Sequence, residues 1–338
     1  MEIKSKKNSL FLQFGAAIFL LIFCSFKSQP GQAAITFKSE IRKNFNYQIK
    51  SFDSKIIKST HSFLKEVNEP YINEKVDTIP FRTVKVALVQ FDAIPEQPKR
   101  NLKEMERLMR QAVSLGARIV MFHELTLSDY TSRLDDFAER VPDGPACEKM
   151  GKLSKALNCF VSFGLSEKER IGNDERYYIT QVFFGPNGFV YRYRKTWLWW
   201  DYEENDKWYR KEPVRYDPGT GPELFVIDGV AATCFICRDG SAPRCIERAK
   251  NLNPQLIFYP SNYKGGNPSV VGSLAKKIGA PMLITNRVGA SWYGENQDCL
   301  GNTAAFDAMG NVIGKANIEG REEILVVEVP LFRPFPEF

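Results

Sequence analysis

Histidine is almost absent from this chain: His61 and His123 are the only two. That scarcity removes most chemistry that runs through imidazole. A papain-like Cys–His pair would have to draw on His61, far upstream, or on His123. His123 neighbours Glu124 on a strand, where successive side chains point to opposite faces. No Gly-rich nucleotide loop is present. The Ser-x-x-Lys spellings at Ser261–Lys264 and Ser273–Lys276 lack their Ser-Asp-Asn and Lys-Thr-Gly companions. One CxxC, Cys234 to Cys237, has no second pair to complete a zinc or redox site. An excess of one charge is missing too, since 46 Lys and Arg against 40 Asp and Glu leave a net +6. With no basic–aromatic pattern of the RNA-binding kind, nucleic acid is not an expected partner.

Long apolar runs are equally scarce. The one present, Leu10 to Phe26, follows Lys4, Lys6 and Lys7 and precedes Lys27-Ser28-Gln29-Pro30-Gly31. That order reads as an export signal. The run is short for a bilayer span of about 20 residues. Residues 1–34 are therefore expected to be a leader cleaved after Ala33 or Ala34, giving a periplasmic or secreted protein. The alternative is a membrane anchor through residues 10–26, the only membrane contact the chain offers. Of seven cysteines, six remain once Cys24 is removed, so an exported chain permits disulfides. Residues 35–80 form an N-terminal extension with a helical stretch from Ser51 to Val67.

From Thr83 onward, strands alternate with helices. Val84–Gln90 reads as a strand, Asn101–Leu115 as a helix, and Arg118–Phe122 as a strand running into His123-Glu124. A helix over Cys147–Leu157 and a strand over Cys159–Phe163 follow. Tyr177–Phe184 and Phe189–Arg194 form a hairpin about Pro186-Asn187, and it ends in Lys195. The apolar run from Val230 stops at Cys237-Arg238-Asp239-Gly240. Helices at Ala242–Leu252 and Val270–Ile278 separate strands at Gln255–Tyr259 and Met282–Asn286. The last strands lie near Thr303–Phe306, Val312–Lys315 and Ile324–Val329. βαβ units mixed with hairpins imply a mixed sheet, and 43% hydrophobic content is ample for a sizeable core.

Glu124, Lys195 and Cys237 thus each terminate a strand, where α/β folds bind ligands. A carboxylate base, an ammonium and a thiol are what acyl transfer through a thioester needs. Taken singly each has an ordinary reading: a helix cap, an exposed lysine, an inert buried thiol. Their setting removes that ambiguity. Gly116-Ala117-Arg118-Ile119-Val120-Met121-Phe122-His123-Glu124, Tyr193-Arg194-Lys195 and Ile236-Cys237-Arg238-Asp239 resemble, in order, the three catalytic motifs of the nitrilase superfamily of carbon–nitrogen hydrolases. Val89-Gln90, Tyr259-Pro260-Ser261-Asn262, Thr285-Asn286-Arg287-Val288-Gly289 and Gly301-Asn302-Thr303-Ala304-Ala305-Phe306-Asp307 resemble its other landmarks. Departures stand at His123, where the family usually has Pro, at Ala242-Pro243-Arg244 after the cysteine motif, and at Asn302, where Ser is more usual.

The resemblance implies a four-layer αββα sandwich over residues 81–332, with 333–338 as a tail. It implies that Cys237 is the nucleophile, Glu124 the general base, and Lys195, with the Arg238 N–H, the oxyanion stabiliser. A backbone-rich turn and the following helix N-terminus are expected to lower the Cys237 pKa. A second glutamate that orients the lysine is implied at Glu203 or Glu204, with Glu204 carried as the candidate. Trp197, beside Trp199 and Trp200, is a candidate wall of the acyl pocket; Ser261 and Asn262 are further substrate-binding candidates. No metal or organic cofactor is implied, and the expected partners are a small amide-type substrate and a second copy of the chain, as a homodimer or larger assembly. The function expected is thiol hydrolysis of a non-peptide amide or carbamoyl C–N bond. An N-acyltransferase using the same acyl-enzyme, or a catalytically silent scaffold, are the alternatives.

Overall fold

The computed structural model describes residues 81–200, 212–265, 268–290, 298–316 and 320–335. The chain divides at Asp77/Thr78, and the described residues all belong to the second unit. The expected leader and the Ser51–Val67 helix lie outside them, as do Glu203 and Glu204.

The first half builds one sheet. Strand β1 (Arg82–Gln90) feeds helix α1 (Pro98–Ser114), which returns to β2 (Ile119–Met121), parallel to β1. Proline at the first helical position and buried Met105, Leu108, Met109 and Ala112 explain α1: its start is preset and one stripe is apolar. The one-turn α2 (Leu134–Phe137) and α3 (Pro145–Leu157) lead to β3 (Phe160–Ile171), parallel to β2. Then β4 (Asp174–Gly185) and β5 (Gly188–Arg194) add antiparallel strands.

The second half repeats the scheme. β6 (Phe225–Ile227) pairs antiparallel with β7 (Val230–Cys234). Helix α4 (Pro243–Leu252), β8 (Leu256–Pro260), α5 (Ser269–Ile278) and β9 (Met282–Thr285) then extend a parallel β7–β8–β9 core. A small hairpin of β10 (Val288–Ala290) and β11 (Asp298–Leu300) stands apart. β12 (Ala304–Phe306) and β13 (Val312–Lys315) complete the second sheet, while β14 (Glu323–Leu331) crosses back to pair with β1. The strand orders are β14-β1-β2-β3-β4-β5 and β13-β12-β9-β8-β7-β6.

Alternation along the strands sets the layers. Val86, Leu88, Met121 and Phe183 of the first sheet meet Ala232, Leu256, Phe258 and Leu283 of the second in one core cluster. The Phe183 ring lies 5.3 Å from that of Phe258 and 4.6 Å from that of Phe225. The neighbouring residues Ala87, Val89, Val120 and Val161 turn the other way, onto α1 and α3. Ile257, Met282 and Ile284 do the same onto α4 and α5. Each large side chain buried in these layers contributes about 1.5–3 kcal/mol. The result is the expected αββα sandwich.

Candidate active site

Glu124 sits three residues past β2, in a loop laid against β3. Gly164 on β3 makes that approach possible, because a Cβ there would stand 2.2 Å from the Leu125 nitrogen. The Leu127 N–H donates to the Gly164 carbonyl at 3.1 Å, and Gln181 Nε2 donates to the Phe122 carbonyl at 3.1 Å. The Glu124 carbonyl accepts from His123 Nδ1–H at 2.8 Å and from Asn262 Nδ2 at 3.4 Å. Burial, and then the Arg287 charge, push His123 down to about 3, so its ring is neutral near pH 7.

Lys195 directly follows β5, and its N–H donates to the Ile179 carbonyl at 2.8 Å. Its Nζ reaches Glu124 Oε1 at 2.8 Å and Glu212 Oε1 at 2.7 Å, with all three side chains buried. Glu212 is fixed in turn: its Oε2 accepts the Trp199 N–H at 2.6 Å, and its Oε1 accepts the Tyr130 hydroxyl at 2.7 Å. Flanking carboxylates hold Lys195 well above its usual pKa despite burial. Burial pushes Glu124 upward, the Glu212 charge pushes it further, and Lys195 opposes both.

Cys237 opens a 3-10 turn (Cys237–Ser241), three residues past the end of β7. Its φ of 45° lies in the left-handed region, as do those of Leu125 (52°) and Asp129 (57°). Such backbone costs about 1–3 kcal/mol at a non-glycine residue and gathers at functional sites. The Tyr259 hydroxyl donates to the Cys237 carbonyl at 2.6 Å and helps hold this conformation. The expected lowering of the thiol pKa is not what the site does. Burial and the Glu124 charge push Cys237 well above the ordinary thiol range, against the opposing pull of Lys195 and the Asn262 N–H. A short turn's dipole is outweighed by desolvation and a neighbouring carboxylate. The Cys237 thiol is therefore held in its protonated form near neutral pH.

The other candidates divide. Asn262 is brought in: buried, its N–H near the sulfur, its Nδ2 donating to Asp129 Oδ1 at 2.8 Å. Asp129 is paired with Arg287 NH1 at 2.6 Å, both fully buried. Ser261 is buried with its N–H on the Thr285 carbonyl, a sheet contact. Arg238 is exposed. Trp197 contributes its N–H to Asp239 at 2.6 Å, and the residue is 45% exposed. Glu204 and Glu203 lie outside the described residues; the second carboxylate on Lys195 is Glu212. No periodicity marks Glu212, which lies 17 residues beyond Lys195 in a one-turn 3-10 segment. Among the described residues no cluster of His, Cys, Asp or Glu is arranged to hold a metal ion, and no helix is long and apolar enough to cross a membrane. Cys147, Cys159, Cys234, Cys237 and Cys245 are free thiols.

A sandwich of this kind, with a buried Glu–Lys–Glu cluster beside a backbone-strained cysteine, is the frame of a carbon–nitrogen hydrolase, an enzyme rather than a scaffold. The chain belongs to the carbon-nitrogen hydrolase family, whose model matches residues 85–333. It is 24% identical over 259 residues to a nitrilase from Pyrococcus abyssi, covering 74% of this chain and 90% of that protein. An N-carbamoylputrescine amidase from Oryza sativa subsp. japonica is 26% identical over 271 residues, covering 73% and 86%. The solved amidase from Nesterenkonia sp. AN1 superposes with a TM-score of 0.62 at 18% identity, over 73% of this chain and 90% of that one. At that identity the likeness speaks for the fold.

Proposed function

We propose that this enzyme cleaves the C–N bond of a small amide or carbamoyl compound through a thioester on Cys237. The observation that carries the reading is the buried Lys195 held between Glu124 and Glu212, with its charge and that of Glu124 both acting on the Cys237 thiol. Glu124 takes the thiol proton as sulfur attacks the carbonyl carbon. Lys195, with the Arg238 N–H, stabilises the oxyanion, a role worth about 3 kcal/mol per donor. Glu124 then gives its proton to the leaving nitrogen, the C–N bond breaks, and ammonia or an amine departs. Water attacks the thioester with its proton passing to Glu124, which returns it to sulfur as the carboxylic acid leaves.

The N-carbamoylputrescine amidase and omega-amidase relatives support an amide or carbamoyl substrate, and the nitrilase from Pyrococcus abyssi is why nitriles belong in the test. A mutant of the Nesterenkonia amidase holds the acetamide moiety of fluoroacetamide covalently on its active-site cysteine, in keeping with a cysteine nucleophile here. Residues 1–34 are proposed to direct export, which N-terminal sequencing of the mature protein tests. The function itself is tested by ammonia release from a panel of primary amides, carbamoyl amines and nitriles, beside Cys237→Ala. Release from amides or carbamoyl compounds that vanishes in the variant is expected. Release from nitriles alone, or release that survives in Cys237→Ala, contradicts the reading.

A further inference from the structure

Asp239, two residues past the nucleophile, is fully buried, and the reaction just described gives it no part. Its two oxygens face different segments. Oδ2 accepts the Ile236 N–H at 2.9 Å, on the residue before Cys237. Oδ1 accepts the Thr196 N–H at 3.1 Å and the Trp197 N–H at 2.6 Å, on the two residues after Lys195. The Tyr193 hydroxyl, on β5 before the lysine, donates to Oδ2 at 2.9 Å. One carboxylate therefore receives donors from the loop that carries the thiol and from the loop that carries the ammonium, which lie in different sheets.

We propose that Asp239 is a positioning residue for the amide-cleaving site: its carboxylate ties the cysteine loop to the lysine loop and fixes the spacing of Cys237 and Lys195. The inference rests on the reading of Cys237 as nucleophile and Lys195 as oxyanion donor. The Cys245 thiol adds a longer bond to Oδ1 at 3.9 Å, and only an ionised carboxylate accepts at both oxygens from all of these donors. Asparagine presents N–H donors on one side and strands the N–H there, and a protonated aspartic acid turns one acceptor into a donor and weakens its bonds on that side. The tie is thus sensitive to protonation. Burial raises Asp239 to about 6 against the pull of its N–H and Tyr193 donors. The ionisable groups that face it are Lys195, Glu124, Tyr193, Cys234 on β7, Cys245 on α4 and Tyr259 on β8. The working form is the charged one, so the tie holds above about pH 6 and is lost as pH falls through it.

Two protonations then stop turnover in acid, on Glu124 and on Asp239. The experiment uses the full-length protein with the amide that the panel identifies. The logarithm of kcat/KM should fall with a slope approaching 2 on the acid side, and with a slope of about 1 in Asp239→Asn, where only the base titrates. Asp239→Asn should lower kcat about 100-fold, the scale of an ångström-sized misplacement. KM should stay within about threefold, since substrate contacts are untouched. Tyr193→Phe keeps the ring in the core and removes one donor to the carboxylate, so its steep acid limb should begin at higher pH. Alkylation of Cys237 by iodoacetamide, followed through the same pH series, reads the tie without any substrate. Asp239→Asn with kcat and alkylation within about threefold of wild type overturns the proposal. So does an identical acid slope in both proteins. If Asp239→Asn does not fold, an acid limb that Tyr193→Phe leaves unmoved overturns it. Amide turnover that survives in Cys237→Ala would instead sink the thiol mechanism, and the alkylation series would still decide whether the two loops are tied.

Discussion

Replacing Glu212 with glutamine changes one buried charge and little of the shape. In the native site Lys195 Nζ stands 2.8 Å from Glu124 and 2.7 Å from Glu212. The variant leaves the ammonium one carboxylate and takes a like charge away from Glu124. Two unit charges about 4 Å apart interact by about 4 kcal/mol at an effective dielectric of about 20. At about 1.4 kcal/mol per pKa unit that bounds the shift of Glu124 at about three units, and relaxation around Lys195 reduces it to about one. The sign follows from the site: the Glu212 charge raises Glu124, so its removal lowers Glu124. The base works deprotonated, so the acid limb of kcat/KM moves to lower pH by about one unit. Lys195 and the Trp199 N–H both lose a charged acceptor, and a loosened oxyanion donor should lower kcat about 100-fold. Removing one partner of a buried ion pair costs about 3–5 kcal/mol; Glu124 remains to compensate Lys195, so the low end applies. The assay is kcat/KM from about pH 5 to pH 9 beside a thermal melt. An unmoved acid limb with kcat within about threefold of wild type would refute the idea that Glu212 orients Lys195.

Three further substitutions probe the framework. Gly164→Ala drives a Cβ to 2.2 Å from the Leu125 nitrogen; it should cost about 1–3 kcal/mol in urea unfolding and lower kcat about 100-fold by displacing the Glu124 loop. Asp129→Asn strips Arg287 of the carboxylate 2.6 Å away, and the buried guanidinium should cost about 3–5 kcal/mol in the same unfolding measurement. Arg238→Ala should leave kcat/KM on a neutral amide within about threefold, because the side chain is exposed; a larger loss would place that guanidinium in the site.

Where regular structure carries the chemistry, the sequence was legible. The alternation of β5 and the tight turn before it lead straight to Lys195, and the apolar strands with their intervening helices give both sheets of the sandwich. Legibility fades where geometry is set by local hydrogen bonds without periodicity. Glu124 and Cys237 read as strand ends, yet each lies three residues further on, in a loop that Gly164 admits and in a 3-10 turn that Tyr259 holds. Glu212 was missed because a carboxylate in a one-turn segment carries no pattern; only its contact with Lys195 brings it to the site. β3 runs to Ile171 rather than Phe163 because its charged half is neutralised across the sheet: Glu167 accepts from Arg192, Arg194 and Thr180. Of the three-residue strands, β2 and β12 stood inside longer apolar runs and were read, while β6, β10 and β11 were not. The thiol pKa was misjudged because a dipole argument sees the turn and not the burial.

The most direct test is to catch the acyl-enzyme. The protein is mixed with a turned-over amide, quenched in acid within one turnover and digested, and the Cys237 peptide is weighed by mass spectrometry. The thioester mechanism predicts that this peptide gains the mass of the acyl group, with the increment absent in Cys237→Ala. Ammonia released at the full rate with no increment on Cys237 would contradict it.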